Sequence, residues 1–333
     1  MDRIVLYGAG AIFRYFEKIF WELQEENKIQ ILGVADRKLN EPTFHNFKVF
    51  SLSEMVNLSV DYIIITAEGV AAEGICADLC ANGIPNEKII GVYNYAFVKE
   101  KLNILDSNQL SVQLGIIKKI LSARDSDVGN LEWMRNIVGQ YGIFPFLEDD
   151  LRGTGNVMFT HIGMLQRPNE FAEYCVYLSN LNIGTAIEVG VFHGKSSYFM
   201  CALLARKNPN LVYELVDIYD NLDNFEEFHE LLPQMRKRIP ATSDDLVGKT
   251  YDFVFIDADH SYDASMRDYM NLGRYAKKLT VFHDIFSHEY DNQNGGTVRM
   301  WNEVVNMTSE HKHHVFSEYQ GKWMGIGVLE YAK

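Results

Sequence analysis

Two stretches of the chain place charge at the end of an apolar run. FIDADHSYDASMRD, residues 255–268, passes from Phe255 and Ile256 to Asp257, Asp259 and His260. LTVFHDI, residues 279–285, ends in His283 and Asp284. Crowding carboxylates and imidazoles at such tips costs stability, which raises the question of what they hold. If the runs are adjacent strands, Asp257 and Asp284 can converge on one hard divalent cation. Oxygen ligands and open water positions favour magnesium, with calcium or manganese as alternatives. An imidazole with an ordinary pKa of about 6.5 can take a proton at neutral pH, which suits His260 to general-base work. Plainer roles stand beside these. Asp259 can cap a helix starting near Ser261, Asp263 and Asp268 read as solvated helix charge, and His283 is either a metal ligand or a hydrogen-bonded structural group.

Two glycine-rich turns could bring a ligand to such groups. In IEVGVFHGKSS, residues 187–197, Glu188 closes a strand, Gly190 and Gly194 allow close backbone approach, and Ser196 and Ser197 can cap or line the turn. The next strand ends in Asp217, where an acid can take both hydroxyls of a ribose. A glutamate before the glycines can hold a cation, which a phosphate loop would avoid. The pattern suits an adenosine ligand carrying an amino acid rather than a dinucleotide. The earlier turn, YGAGAIF, has Gly8 and Gly10 with Asp36 ending the next strand, but Phe13 stands at the third glycine position. A GxG alone is a weak signal. The turn is either a ligand site or a tight strand–helix connection in a structural or dimerising domain.

The elements that must position these residues alternate. Strand-like runs at 3–9, 29–36, 62–67 and 88–93 are separated by helical spacing over 11–24 and 71–82. Continuously apolar strands separated by helices imply a parallel sheet covered on both faces. Residues 100–180 are mostly helical, with segments near 108–123, 130–139 and 168–180, and FLEDDLRGTGNVMF within them reads as a loop over the later site. Alternation resumes at TAIEVGV, LVYELVD, YDFVFID and LTVFHDI, and HHVFSEY with WMGIGVLEY has the look of a closing hairpin. The expected class is α/β: a small Rossmann-like domain over 1–100, a helical linker over 101–157 and a second α/β domain over 158–333.

Bulk properties narrow the function. A chain of 333 residues exceeds the roughly 250–300 at which one core stops growing. The net charge of -14 argues against nucleic acid or an anionic membrane as main partner. No apolar run reaches the roughly 18 residues of a membrane span. MDRIVLYGAG lacks the layout of a signal peptide, so a cytoplasmic location is expected, with reduced thiols at Cys76, Cys80, Cys175 and Cys201. These cysteines lack zinc spacing, and Cys76 and Cys80, which share a helix face, read as buried small apolar residues rather than a metal or redox pair.

Together, IEVGVFHGKSS, the acid of ELVD, YDFVFIDADHSYDASMRD, VFHDI, GGTVRMWNEV and GIGVL resemble, from about 158 onward, the class I S-adenosylmethionine-dependent methyltransferases. The resemblance is to the branch of macrocin-type sugar O-methyltransferases and cephalosporin-hydroxylase-like proteins. It implies a seven-stranded, mostly parallel sheet whose last strand is antiparallel and inserted by a hairpin. By position it implies that Glu188, Gly190 and Gly194 cradle the methionine part of the cofactor, with Ser196 in the same turn. Asp217 would bind ribose, Thr242 and Ser243 would lie near adenine, and Gln166 would match a polar position near the cofactor. It also implies metal ligands at Asp257, His283 and Asp284 and a base at His260. His283 departs from the pattern, since metal-dependent members carry an acid there.

The expectation is therefore an O-methyltransferase acting on a sugar or sugar-containing metabolite, using S-adenosylmethionine and in some form Mg2+. It would form a homo-oligomer and engage neither nucleic acid nor membrane. The alternative is a bifunctional or non-catalytic protein whose N-terminal domain binds a nucleotide or nucleotide-sugar, or mediates assembly.

Overall fold

The structure, a computed structural model, describes residues 1–67, 69–145, 157–318 and 323–331. It divides into two units, one of Met1–Asn108 and one containing Gln109–Phe144 and the described residues from 157 onward.

In the first unit, β1 (Asp2–Tyr7), β2 (Ile29–Ala35), a hairpin of β3 (Thr43–Phe44) and β4 (Phe47–Lys48), β5 (Tyr62–Ile65) and β6 (Ile89–Gly91) follow one another. The main sheet is parallel, in the order β2-β1-β5-β6. Helix Ala11–Glu25 buries Ile12, Phe13, Phe16, Ile19, Phe20 and Leu23, the three- and four-residue spacing of one helix face. Phe13, which the missing third glycine leaves as an apparent obstacle to helix–sheet approach, is accommodated. Its ring packs edge-on to Phe44 at 5.4 Å and Phe47 at 6.2 Å, so the β3–β4 hairpin takes up the bulk.

The stretch anticipated as a separate linker does not behave as one. The division falls inside helix Ala96–Leu121, and Gln109–Phe144 goes with the second unit. The reason is apolar burial: Ile116, Ile117, Ile120, Met134, Ile137, Val138 and Tyr141 are all core residues. Gln113 also donates from Nε2 to the carbonyls of Tyr141 and Ile162. Of the anticipated loop FLEDDLRGTGNVMF, residues 146–156 lie outside the described residues.

The second unit is built on β7 (Thr185–Val189), β8 (Val212–Val216), β9 (Met235–Arg238), β10 (Phe253–Ile256), β11 (Leu279–Phe282), β12 (Lys312–Phe316) and β13 (Ile326–Glu330). The order is β12-β13-β11-β10-β7-β8-β9, with β13 antiparallel to both β11 and β12 and the other pairs parallel. β10 and β11 are buried along their whole length, as a sheet covered on both faces requires. Their carboxyl ends, side by side in register from Phe253 with Leu279 to Ile256 with Phe282, carry Asp257 and His283. No helix among the described residues is long and apolar enough to cross a membrane.

Candidate active site

The next residue after β7 is Gly190, held at φ +87°, and a side chain there would meet backbone: an ideal Cβ falls 2.2 Å from the Asp257 carbonyl oxygen. Only glycine lets this turn pass so close to the end of β10. Asp217, at the end of β8, accepts the amides of Val191 and Phe192 on Oδ2, both at 3.0 Å, and that of Tyr219 on Oδ1 at 3.2 Å. The carboxylate thus fixes the turn and points into a cavity of about 420 Å³. Gly190, Asp217, Thr242, Ser243, Asp257 and Asp268 are among its lining residues.

Other expected cofactor residues lie outside that lining. Glu188 is fully buried in β7, with Oε2 accepting from Tyr213 Oη at 2.7 Å and Oε1 unpartnered. Burial pushes its carboxyl up to about 8. Gln166 is buried with Oε1 unpartnered. Gly194 (φ +78°) starts helix Lys195–Lys207, where a Cβ would strike Leu222 and Tyr198 at 2.7 Å, and Ser196 sits half-buried in its first turn. Thr242 and Asp245 form a capping box, which brings Ser243 to the cavity. Asp268 is not solvated helix charge as its position suggests. It is 5% exposed, accepts from Ser243 Oγ at 2.5 Å, and burial pushes its carboxyl up to about 6.

The acidic tip is brought together. His283 Nδ1 lies 3.2 Å from Asp257 Oδ1 and 3.1 Å from Asp284 Oδ2, while its buried Nε2 has no partner. His260 Nε2 lies 3.2 Å from Asp284 Oδ2 and 3.6 Å from Asp257 Oδ1. Asp257, His283 and Asp284 each offer one ligand atom, all within 4.8 Å of one another. Burial works to lower both imidazoles, but the two carboxylates outweigh it, raising His260 and lifting His283 well above the ordinary value. Burial likewise opposes ionisation of Asp284, yet the neighbouring His283 holds its carboxyl well below the usual range. Asp259 accepts the Ser261 amide at 2.8 Å, and Ser261 itself caps helix Tyr262–Asn271.

Residues beyond the motifs hold this tip in place. Asp284 adopts φ +59°, a left-handed conformation in which an aspartate is tolerated. Ser287 Oγ donates to Asp284 Oδ1 at 2.5 Å, and Thr297 Oγ1 donates to the Asp284 carbonyl at 2.6 Å. Glu170, also missed, is buried and accepts the amides of Glu318 at 3.2 Å and Gly325 at 3.1 Å. Burial pushes its carboxyl up to about 7, against the pull of His283. A signal existed: Glu170 shares a helix face with the core residues Tyr174 and Leu178, an acid in an apolar stripe. Trp301, in the GGTVRMWNEV segment, is core, packed 5.6 Å from Phe282. The burial expected of Cys76 and Cys80 does not hold, since Cys76 is half-buried and Cys80 exposed, whereas Cys175 and Cys201 are buried.

Residues 187–285 match the family described as a methyltransferase domain, and residues 1–90 match the C2185-like N-terminal family. No curated protein matches the chain. Among solved structures, it is similar to the O-methyltransferase TomG from Streptomyces achromogenes, involved in tomaymycin synthesis and in complex with SAM. The identity is 12%, covering 60% of this chain and 90% of that one, with a TM-score of 0.40. It is also similar to an O-methyltransferase from Bacillus cereus in complex with SAH, at 14% identity over 65% of this chain and 95% of that one, with a TM-score of 0.38. The matched segment spans the glycine turn, Asp217 and the acidic tip, so the candidate site lies within the part of the chain that matches a methyltransferase domain.

Proposed function

We propose that the chain is an S-adenosylmethionine-dependent O-methyltransferase acting on a hydroxyl of a sugar or sugar-containing metabolite. The observation that carries this reading is the convergence of Asp257, His260, His283 and Asp284 beside the cavity lined by Gly190 and Asp217. S-adenosylmethionine, when bound, supplies the activated methyl group. The fit to it rests on Asp217 for the ribose hydroxyls, on a turn that a Cβ at Gly190 would close, and on two buried acceptor atoms without partners. Those atoms, Glu188 Oε1 and Gln166 Oε1, suit the ammonium of an amino-acid moiety.

A sugar hydroxyl is a poor nucleophile at neutral pH, so a base must take its proton as the oxygen attacks. Asp284 and Asp257 face His260 Nε2 and hold the N–H on that nitrogen, which leaves Nδ1 to accept the proton. The same carboxylates stabilise the imidazolium that forms. Asp257, His283 and Asp284 would hold a divalent cation, magnesium in this reading, which supplies Lewis acidity to the acceptor oxygen. His283 would ligate through Nδ1, the nitrogen that faces both carboxylates, although an imidazole in place of an oxygen weakens affinity for magnesium. The homo-oligomeric state and the cytoplasmic location belong to the same reading.

The test is transfer of a labelled methyl group from S-adenosylmethionine to a panel of sugars and nucleotide-sugars. The expected result is labelling of one hydroxyl class, lost in His260→Ala. Transfer only to nitrogen acceptors, or undiminished transfer in the variant, would overturn the reading.

A further inference from the structure

The first unit contains a cavity of about 470 Å³ at the carboxyl ends of its parallel strands, a volume suited to a small ligand. Gly8, Gly10, Asp36, Lys38 and Thr66 are among its lining residues. We propose that this cavity is a second ligand site, specific for a nucleoside diphosphate, with Asp36 taking the ribose hydroxyls and the Gly8–Gly10 turn with Lys38 taking the diphosphate.

The argument begins with a device that occurs twice in the chain. Asp36 Oδ2 accepts the Ala9 amide at 2.8 Å, as Asp217 Oδ2 accepts the Val191 amide at 3.0 Å. Gly8 donates to the Ala35 carbonyl, as Gly190 donates to that of Val216, both at 2.9 Å. Gly8 has φ +113°, and a Cβ there would fall 2.7 Å from the Thr66 carbonyl oxygen, the counterpart of the Gly190 contact with Asp257. Thr66 Oγ1 locks the turn from beneath by donating to the Gly8 carbonyl at 2.6 Å. An acid aimed over a close glycine turn at the strand ends is thus built in both units.

Gly10 supplies an observation the fold leaves unexplained. Its φ is -84°, open to any residue, and a Cβ there would meet nothing within 4 Å. Neither backbone conformation nor packing requires glycine, and no side chain caps the helix that begins beside it. The missing side chain leaves space over the turn at the start of the helix, which suits an anionic group.

Charge separates the two ligands. The cavity of the second unit is lined by Asp217, Asp257, Asp259 and Asp268 with Arg267, which suits a cationic sulfonium ligand. The cavity of the first unit has Asp36 flanked by Arg37 and Lys38. Arg37 is braced by Asp78 and the Gly74 carbonyl. One acid for the ribose and basic groups for phosphate fit a nucleoside diphosphate and disfavour S-adenosylmethionine.

Calorimetry on the full chain with UDP and ADP, separately, tests the site without reference to methyl transfer. At least one should bind. Affinity should fall at least about tenfold in Gly10→Leu, which fills open space, and in Asp36→Asn, and it should be unchanged in Asp217→Ala. Thermal unfolding of Gly10→Leu at the wild-type midpoint would show that the loss is not one of folding. Absence of binding by both nucleotides at about 1 mM would overturn the proposal. So would loss in Asp217→Ala instead, or wild-type affinity in a folded Gly10→Leu. Binding of NAD tighter than either diphosphate would overturn the assigned ligand class.

Discussion

Gly190 and Asp257 are locked backbone to backbone: a Cβ on Gly190 would lie 2.2 Å from the carbonyl oxygen of Asp257 and 2.5 Å from its carbonyl carbon. The contact joins the turn expected to hold the cofactor to the strand end that carries the acidic tip, so disturbing one must move the other.

Gly190→Ala should therefore cost about 2–4 kcal/mol, from its positive φ and from overpacking against backbone that cannot swing aside. Urea denaturation would read the loss, and turnover should fall further than stability alone explains. A variant with unchanged midpoint and turnover would refute the coupling.

Asp217→Ala removes an acceptor shared by the Val191 and Phe192 amides. Affinity for S-adenosylmethionine should fall at least about tenfold, the scale of one charge-assisted hydrogen bond. Calorimetry showing wild-type affinity would remove Asp217 from the site.

Glu188 sets a pH dependence of stability. Burial raises its folded value to about 8 from an ordinary 4.5. An acid shifted upward binds its proton more tightly when folded, so its contribution is intact below pH 4.5. Stability is then lost as the pH climbs through 8, by up to a few kcal/mol. Glu188→Gln should flatten that decline in unfolding midpoints between pH 5 and pH 8.5. If the cofactor's ammonium meets the ionised carboxylate, binding near pH 7 should also release a proton, seen as a buffer-dependent calorimetric heat.

His260→Ala should lower kcat by about 10²–10⁴-fold, the usual contribution of a general base. Cofactor affinity should stay within about twofold, since the side chain faces Asp257 and Asp284 rather than the ribose-binding acid. An equal loss of kcat and of cofactor binding would point to a structural role.

A chelator should lower turnover if a cation acts at the tip, with recovery on adding manganese or magnesium. His283→Ala should then weaken manganese binding in calorimetry, because the variant removes one of three converging ligand atoms. Full activity after exhaustive chelation would leave His283 as an ion-paired structural group.

Much of this was legible before the fold. Apolar runs such as FVFI and LTVF announce buried parallel strands, and the glycines and acids at their ends mark where a ligand would lie. Asp257, His260, His283 and Asp284 could be named because each follows a strand whose end is apparent in the chain. Glu170 escaped because its partners, the amides of Glu318 and Gly325, lie about 150 residues away. Asp268 was misjudged because a helix charge looks solvated until the serine that buries it, Ser243, is seen beside it.

The sequence by itself determined the alternation of strands and helices, the two acid-and-glycine turns and the residue types at the acidic tip, because these depend on local periodicity and on backbone freedom. Only the tertiary structure decided that Glu188 is buried against Tyr213, that Phe13 is received by a hairpin, and that Ser287 and Thr297 secure Asp284 in a left-handed conformation. Those outcomes depend on which side chains meet across elements distant in the chain. Packing selects such meetings, and no local pattern encodes them.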